Sequence, residues 1–238
     1  MEYFIRSGDA ARIRTGCLVV GAFEDGGRGA KGNADPLNKL LTGIKRAGDL
    51  PTKIGECLLL PEPEDMNARR LLVVGCGDSK KFCVKQYRQV VSAAIRQLQK
   101  LGAADAVLML APAELDPYGR ARHAVESAGN VLYRFDELKS GKKDPKPKLA
   151  RIGVHLDSSG GRARAERGIE HGRAIAEGSS VARRLADLPA NRCTPSYLAS
   201  FARKLAADTR RMKATILSEA QMKKLGMGAL LSVTAGAD

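Results

Sequence analysis

The sequence contains no tryptophan, and phenylalanine and tyrosine together supply only 4% of its 238 residues. Platforms for stacking single-stranded bases are therefore scarce. The five cysteines, Cys17, Cys57, Cys76, Cys83 and Cys193, are odd in number and include no CxxC pair. Most lie in apolar stretches, which fits reduced core thiols of a cytoplasmic protein and not a disulfide framework. Only three histidines occur, His123, His155 and His171, and they show neither HExxH nor any paired spacing, so a histidine zinc site has no local signature. No apolar stretch approaches bilayer length, and Met1–Arg6 is not a basic segment followed by a long apolar run. Secretion and membrane partners are not expected. A GxSxG nucleophile elbow and a GxxxxGK[ST] phosphate loop are both missing.

What is present is an ordinary soluble balance, 44% hydrophobic and 28% charged, in a length that fits one large or two ordinary domains. The net charge of +14 is uneven. Lys139–Arg167 is the densest positive stretch, with nine basic and three acidic residues. Such a patch attracts polyanions, and Lys142, Lys143, Lys146, Lys148, Arg162 and Arg164 are its candidate contacts to the phosphates of double-stranded DNA. A solvated basic face explains the same residues.

Apolar runs alternate with helix-period segments. Cys17–Phe23, Cys57–Leu60, Leu71–Gly75 and Ala106–Ala111 predict buried strands, and Val84–Leu101 and Tyr118–Leu132 predict helices. The order predicts an α/β domain with a mixed, largely covered sheet. Lys139–Lys148 has no apolar residue and two prolines, the composition of a loop or linker. Ala150–Leu156 then predicts a strand and Arg162–Leu185 a long helix that Pro189 ends. Thr194-Pro195 predicts a capped start for a helix through Tyr197–Ala207. Lys213–Leu217 reads as a strand, Ser218–Leu225 as a short helix capped by Ser218, and Ala229–Thr234 as a final apolar strand with nothing after it to pair. That order predicts the opening of a domain.

Three local patterns invite chemistry. Gly27-Arg-Gly-Ala-Lys-Gly32 matches GxGxxG, but Glu24-Asp25-Gly26 separates it from the strand and the helical pattern begins only near Ala34, so a surface loop fits better than a dinucleotide cradle. Ser158-Ser-Gly-Gly-Arg-Ala-Arg164 places small residues and two arginines at a helix start, where anion binding and simple capping are both open. Glu62, Glu64 and Asp65 cluster in a proline-rich stretch that predicts an exposed turn, not a two-metal scaffold. No complete catalytic constellation emerges from the residues alone.

The segment Ala182-Arg-Arg-Leu-Ala-Asp-Leu-Pro-Ala-Asn-Arg-Cys-Thr-Pro-Ser-Tyr-Leu-Ala199 resembles the opening of the catalytic domain of leucyl aminopeptidases, the aminopeptidase A family. Cys17–Glu24, Gly55–Leu60, Arg70–Gly77 and Tyr133–Lys139 resemble, in order, blocks of that family's N-terminal domain, and Met222–Gly236 resembles the block leading towards its active site. The resemblance implies a macro-domain-like N-terminal α/β domain with a mixed sheet (1–149), a strand and linker helix (150–190), and the first part of an incomplete α/β catalytic domain (191–238). It implies a cytoplasmic enzyme that removes N-terminal residues, often leucine, from peptides by means of two divalent metals, manganese or zinc, and that assembles as a homo-hexamer. The family's ligands and catalytic arginine sit in blocks resembling Val-Gly-Lys-Gly and Asn-Thr-Asp-Ala-Glu-Gly-Arg, and neither occurs here. No position therefore receives a catalytic or metal role by matching. The expectation is an N-terminal portion that binds no metal and is inactive alone, with a basic DNA-binding module as the alternative. Nucleotide binding by the macro-like domain, ADP-ribose for example, ranks below both because the Gly27–Gly32 loop is badly placed.

Overall fold

A computed structural model describes residues 1–25, 35–110, 115–140 and 148–235. It divides into two compact units, Met1–Arg183 and Arg184–Asp238.

The first unit is built on six strands, β1 (Glu2–Ser7), β2 (Leu18–Phe23), β3 (Cys57–Pro61), β4 (Arg70–Gly77), β5 (Asp105–Met109) and β6 (Arg151–Leu156). They form one mixed sheet in the order β1-β6-β5-β2-β4-β3. All neighbours are parallel except β3 and β4, which are antiparallel. β2 and the Ala106–Met109 stretch of β5 are buried throughout. Central parallel strands are covered on both faces, which is why they read as unbroken apolar runs.

Helices cover both faces, with α1 (Asp35–Ala47) on one and α2 (Val84–Lys100) and α3 (Pro117–Leu132) on the other. Successive strand residues serve opposite layers: Val19, Leu72, Val74, Leu108 and Val154 join the α2/α3 core, whereas Leu18, Val20, Leu71, Val73 and Val107 join the core beside Leu37 of α1. α2 buries Tyr87, Val90, Val91, Ala94, Ile95 and Leu98, one stripe at helical spacing. Asp116 caps α3, its Oδ1 accepting the Gly119 N–H at 2.7 Å, and Pro117 occupies the first turn. α4 (Arg162–Asp187) lays Ala165, Gly168, Ile169 and Gly172 against this unit.

The second unit carries α5 (Pro195–Asp208), α6 (Glu219–Lys224) and α7 (Gly228–Thr234). Two expected strands are corrected here. Residues 213–217 form no strand, and 229–234, expected to be extended, is helical in α7. A strand needs a neighbour for its N–H and C=O groups, and among the described residues this unit offers none. The backbone is satisfied locally instead, for example by the Leu231 N–H donating to the Met227 carbonyl at 3.2 Å. One strand, β1, was not expected from the sequence; it pairs with β6 from Glu2 to Ser7. Among the described residues no helix is long and apolar enough to cross a membrane.

Candidate functional site

The segment carrying the family resemblance is organised by local chemistry. α4 ends at Asp187, ahead of Pro189, whose carbonyl accepts the N–H groups of Arg192 at 2.8 Å and Cys193 at 2.9 Å. Thr194 then takes an extended conformation, and its Oγ1 accepts the Tyr197 N–H at 3.2 Å, with Pro195 in the first turn of α5. Ser218 and Gln221 make a reciprocal capping box at α6. Each start falls where its capping residue predicts. Arg184, Tyr197, Ser200, Phe201, Lys204, Leu205 and Asp208 line a cleft of about 390 Å³ in this second unit.

The packing of that unit is unlike the first. No described residue from 184 to 235 is buried. Leu225 is 65%, Leu230 54% and Val233 80% exposed. Helices with this many apolar side chains ordinarily bury a stripe against another layer.

The basic residues of the expected polyanion patch are only partly placed together. Lys142, Lys143 and Lys146 lie outside the described residues, as does Gly27–Gly32. Lys148 is exposed just before β6. Arg162 and Arg164 occupy the first turn of α4, and each meets a carboxylate: Arg162 Nε donates to Glu166 at 2.8 Å, and Arg164 bonds Asp116, the residue that caps α3. This turn draws α4 onto α3.

The histidines serve the fold. His171 Nδ1 meets the Tyr118 hydroxyl at 2.9 Å, and His123 Nδ1 lies 3.4 Å from Glu126. His155 is buried, and its Nε2 donates to the Gly8 carbonyl at 2.8 Å. Burial pushes its pKa below the ordinary 6.5, outweighing the opposing pull of the Gly8 bond and of Asp157. A histidine whose folded pKa is lowered takes up its proton more readily when unfolded, so stability is kept above about pH 6.5 and lost as pH falls through it. Urea midpoints measured between pH 7.5 and pH 5 should fall, and His155→Gln should flatten that slope. An equally steep slope in the variant would count against this assignment.

Glu126 is the acidic hub that sequence reasoning missed. It is 4% exposed, accepts from Arg122 at 2.6 Å, and lies 3.6 Å from Arg88. The four-residue spacing of Arg122 and Glu126 was visible in the sequence, but the approach of Arg88 from α2 was not. Glu62, Glu64 and Asp65 do form an exposed turn, with positive φ at Glu62 (45°) and Asp65 (56°). Cys17 and Cys76 are buried core thiols pushed up to about 12 by desolvation, whereas Cys83 is exposed at the start of α2. Among the described residues no three His, Cys, Asp or Glu side chains converge as a metal site would require. The described residues do not assemble a two-metal centre.

Comparison with known proteins accounts for both units. The cytosol aminopeptidase family's N-terminal domain matches residues 19–142, and that family's catalytic domain matches residues 180–238. The probable cytosol aminopeptidase of Nitrosococcus oceani is 40% identical across 99% of the chain, and that of Idiomarina loihiensis is 37% identical across all of it. In both cases the chain spans 48% of the relative, about half its length. Among solved structures, a mutant of tomato leucine aminopeptidase superposes on 100% of the chain and 48% of its own, with a TM-score of 0.78 at 21% identity. The bottromycin maturation enzyme BotP superposes on 94% of the chain and 44% of its own, with a TM-score of 0.68 at 24% identity. These two structures share the fold. With the N-terminal domain matched over residues 19–142, the catalytic domain matched from residue 180 near the end of α4, and curated relatives aligned along the chain, the protein belongs to the cytosol aminopeptidase family.

Proposed function

We propose that this chain is the N-terminal portion of a two-metal aminopeptidase that removes N-terminal residues such as leucine from peptides in the cytoplasm, and that it does no peptide hydrolysis by itself. The observation that carries this reading is the second unit: it matches the start of the family's catalytic domain, yet no described residue in it is buried. A domain with a core of its own hides apolar side chains, and this one leaves Leu225, Leu230 and Val233 in water. The remaining half of the catalytic domain is the surface that would cover them.

On this reading the division of labour is 1–149 as the N-terminal domain, 150–190 as the connecting strand and helix, and 191–238 as the opening of the catalytic domain. The chain's own contribution is a rigid α/β platform and a long helix, α4, leading into the catalytic half. Divalent metal chemistry belongs to that other half, manganese or zinc being the candidates; BotP has been solved with manganese. Peptide substrates and a homo-hexamer are likewise properties of the whole enzyme. The double-stranded DNA reading loses force because Arg162 and Arg164 already bond carboxylates, which leaves Lys148 as its one described contact without a bonded carboxylate.

Amide hydrogen exchange tests the proposal. Residues 184–235 should exchange fast in the chain alone and become at least tenfold slower when it is co-expressed with the remaining half of the Nitrosococcus oceani relative. A stable complex in which that region exchanges as fast as before would contradict it.

A further inference from the structure

On the α2/α3 face of the first unit, α2, α3 and the 54–55 turn enclose a cleft of about 560 Å³. Its walls are Ile54, Gly55, Arg88, Gln89, Ser92, Ala93, Arg96, Ser127 and Asn130. Arg88, Ser92 and Arg96 follow one another at four-residue steps, so they share one face of α2. Among the described residues no carboxylate lines the cleft.

We propose that this cleft binds a phosphate dianion, as inorganic phosphate or as the phosphate of a small phosphomonoester. Three observations converge on it. First, Ser127 is 2% exposed, and its hydroxyl has no hydrogen-bond partner although it lines the cleft. Leaving a buried hydroxyl unsatisfied is costly, and such a group calls for a partner such as a bound ion. Second, Arg96 is exposed and makes no ion pair among the described residues. Third, Arg88 holds only a loose ion pair and keeps its side chain 42% exposed. Glu126 is bonded closely by Arg122 at 2.6 Å, while its ion pair with Arg88 spans 3.6 Å, too far for a hydrogen bond. Two guanidinium groups, the Ser127 hydroxyl and the amides of Gln89 and Asn130 form a donor-rich, carboxylate-free lining, the chemistry that holds phosphate oxygens. The volume lies within the range of small-molecule sites.

Titrating the ¹⁵N-labelled chain with inorganic phosphate at constant ionic strength tests the site. Saturable shifts at the amides of Gly55, Ser92, Ser127 and Asn130 are expected. Arg96→Ala, at an exposed position that leaves the Glu126 cluster intact, should weaken binding at least fivefold. Arg88→Ala combined with Arg96→Ala should abolish it, and Ser127→Ala should weaken it about threefold. A second titration with adenosine monophosphate separates the sources: tighter binding than phosphate identifies a phosphomonoester, and equal binding identifies orthophosphate. Shifts that do not saturate, that scatter over the surface, or that persist unchanged in the well-folded Arg96→Ala protein would overturn the proposal.

Discussion

Gly168→Ala and Gly178→Ala, ten residues apart on α4, should change stability in opposite directions. Helix propensity favours alanine over glycine by up to about 1 kcal/mol at both positions. At Gly178 a new Cβ meets nothing within 4 Å, so the propensity gain stands alone, and a rise of about 0.5–1 kcal/mol is expected. At Gly168 the same atom would lie 2.4 Å from the Tyr118 carbonyl oxygen and 3.2 Å from the Ala121 Cβ. A carbonyl at the start of α3 cannot rotate aside as a long side chain would. Overpacking of this kind costs about 1–3 kcal/mol, so the clash outweighs propensity by up to about 2 kcal/mol. Gly172 and Gly129 line the same seam, their added Cβ atoms falling 2.8 Å from the Arg122 carbonyl and 2.5 Å from the Ala176 Cβ. Small residues thus let α3 and α4 pack backbone to backbone, which is how the long helix is held to the first unit. Thermal melts of the two variants check this, at about 2–4 °C per kcal/mol for a protein of this size. A Gly168→Ala protein as stable as wild type would mean the seam is looser than described.

A larger loss is expected at Gly75→Ala. Here the added Cβ would sit 2.1 Å from the Lys53 carbonyl oxygen and 2.8 Å from the Thr52 carbonyl carbon. The close approach is enforced by a ladder of backbone bonds: Gly75 N–H donates to Glu56 at 2.9 Å, Gly55 N–H to Gly75 at 3.0 Å, and Gly77 N–H to Thr52 at 2.7 Å. Relieving the clash means moving the 52–56 turn off β4 and breaking those bonds together. The expected cost is at least about 3 kcal/mol, at the high end for single substitutions. Urea unfolding of the variant should show a much lower midpoint with the same slope. Because Ile54 and Gly55 also wall the phosphate cleft, phosphate binding should fall with it.

Elements governed by their own residues are legible in the sequence. The capping chemistry of Thr194-Pro195 and of Ser218 located two helix starts, and the apolar spacing of Tyr87 through Leu98 located α2. The doubly covered strands β2 and β5 announced themselves as runs without polar interruption. The errors fall where a distant partner decides. Ala229–Thr234 is apolar enough for either structure, and with no neighbouring strand among the described residues it forms α7. β1 is short and half exposed, and it exists because β6, nearly 150 residues away, offers it a parallel edge.

The same rule governs the sites. Positive charge in Lys139–Arg167 could be counted, but that Arg164 answers Asp116, 48 residues earlier, could not. The phosphate cleft draws on three separated segments, 54–55, 88–96 and 127–130, so no local pattern exposed it. The family resemblance was legible in Ala182–Ala199 and in the collinear blocks before it. The terminal stretch 229–234, expected as an unpaired strand, is helical. The lack of any buried residue among the described residues of the second unit is a property of packing that only the structure displays.

On the proposed reading, these residues alone do not cleave peptides. The most direct test is to follow leucine release from a leucine anilide by the purified chain, with manganese or zinc added. The prediction is a rate at the no-enzyme background, with hydrolysis appearing only when the remaining half of a relative is joined to it. Turnover by the chain alone that a chelator abolishes and that survives repurification would contradict the claim.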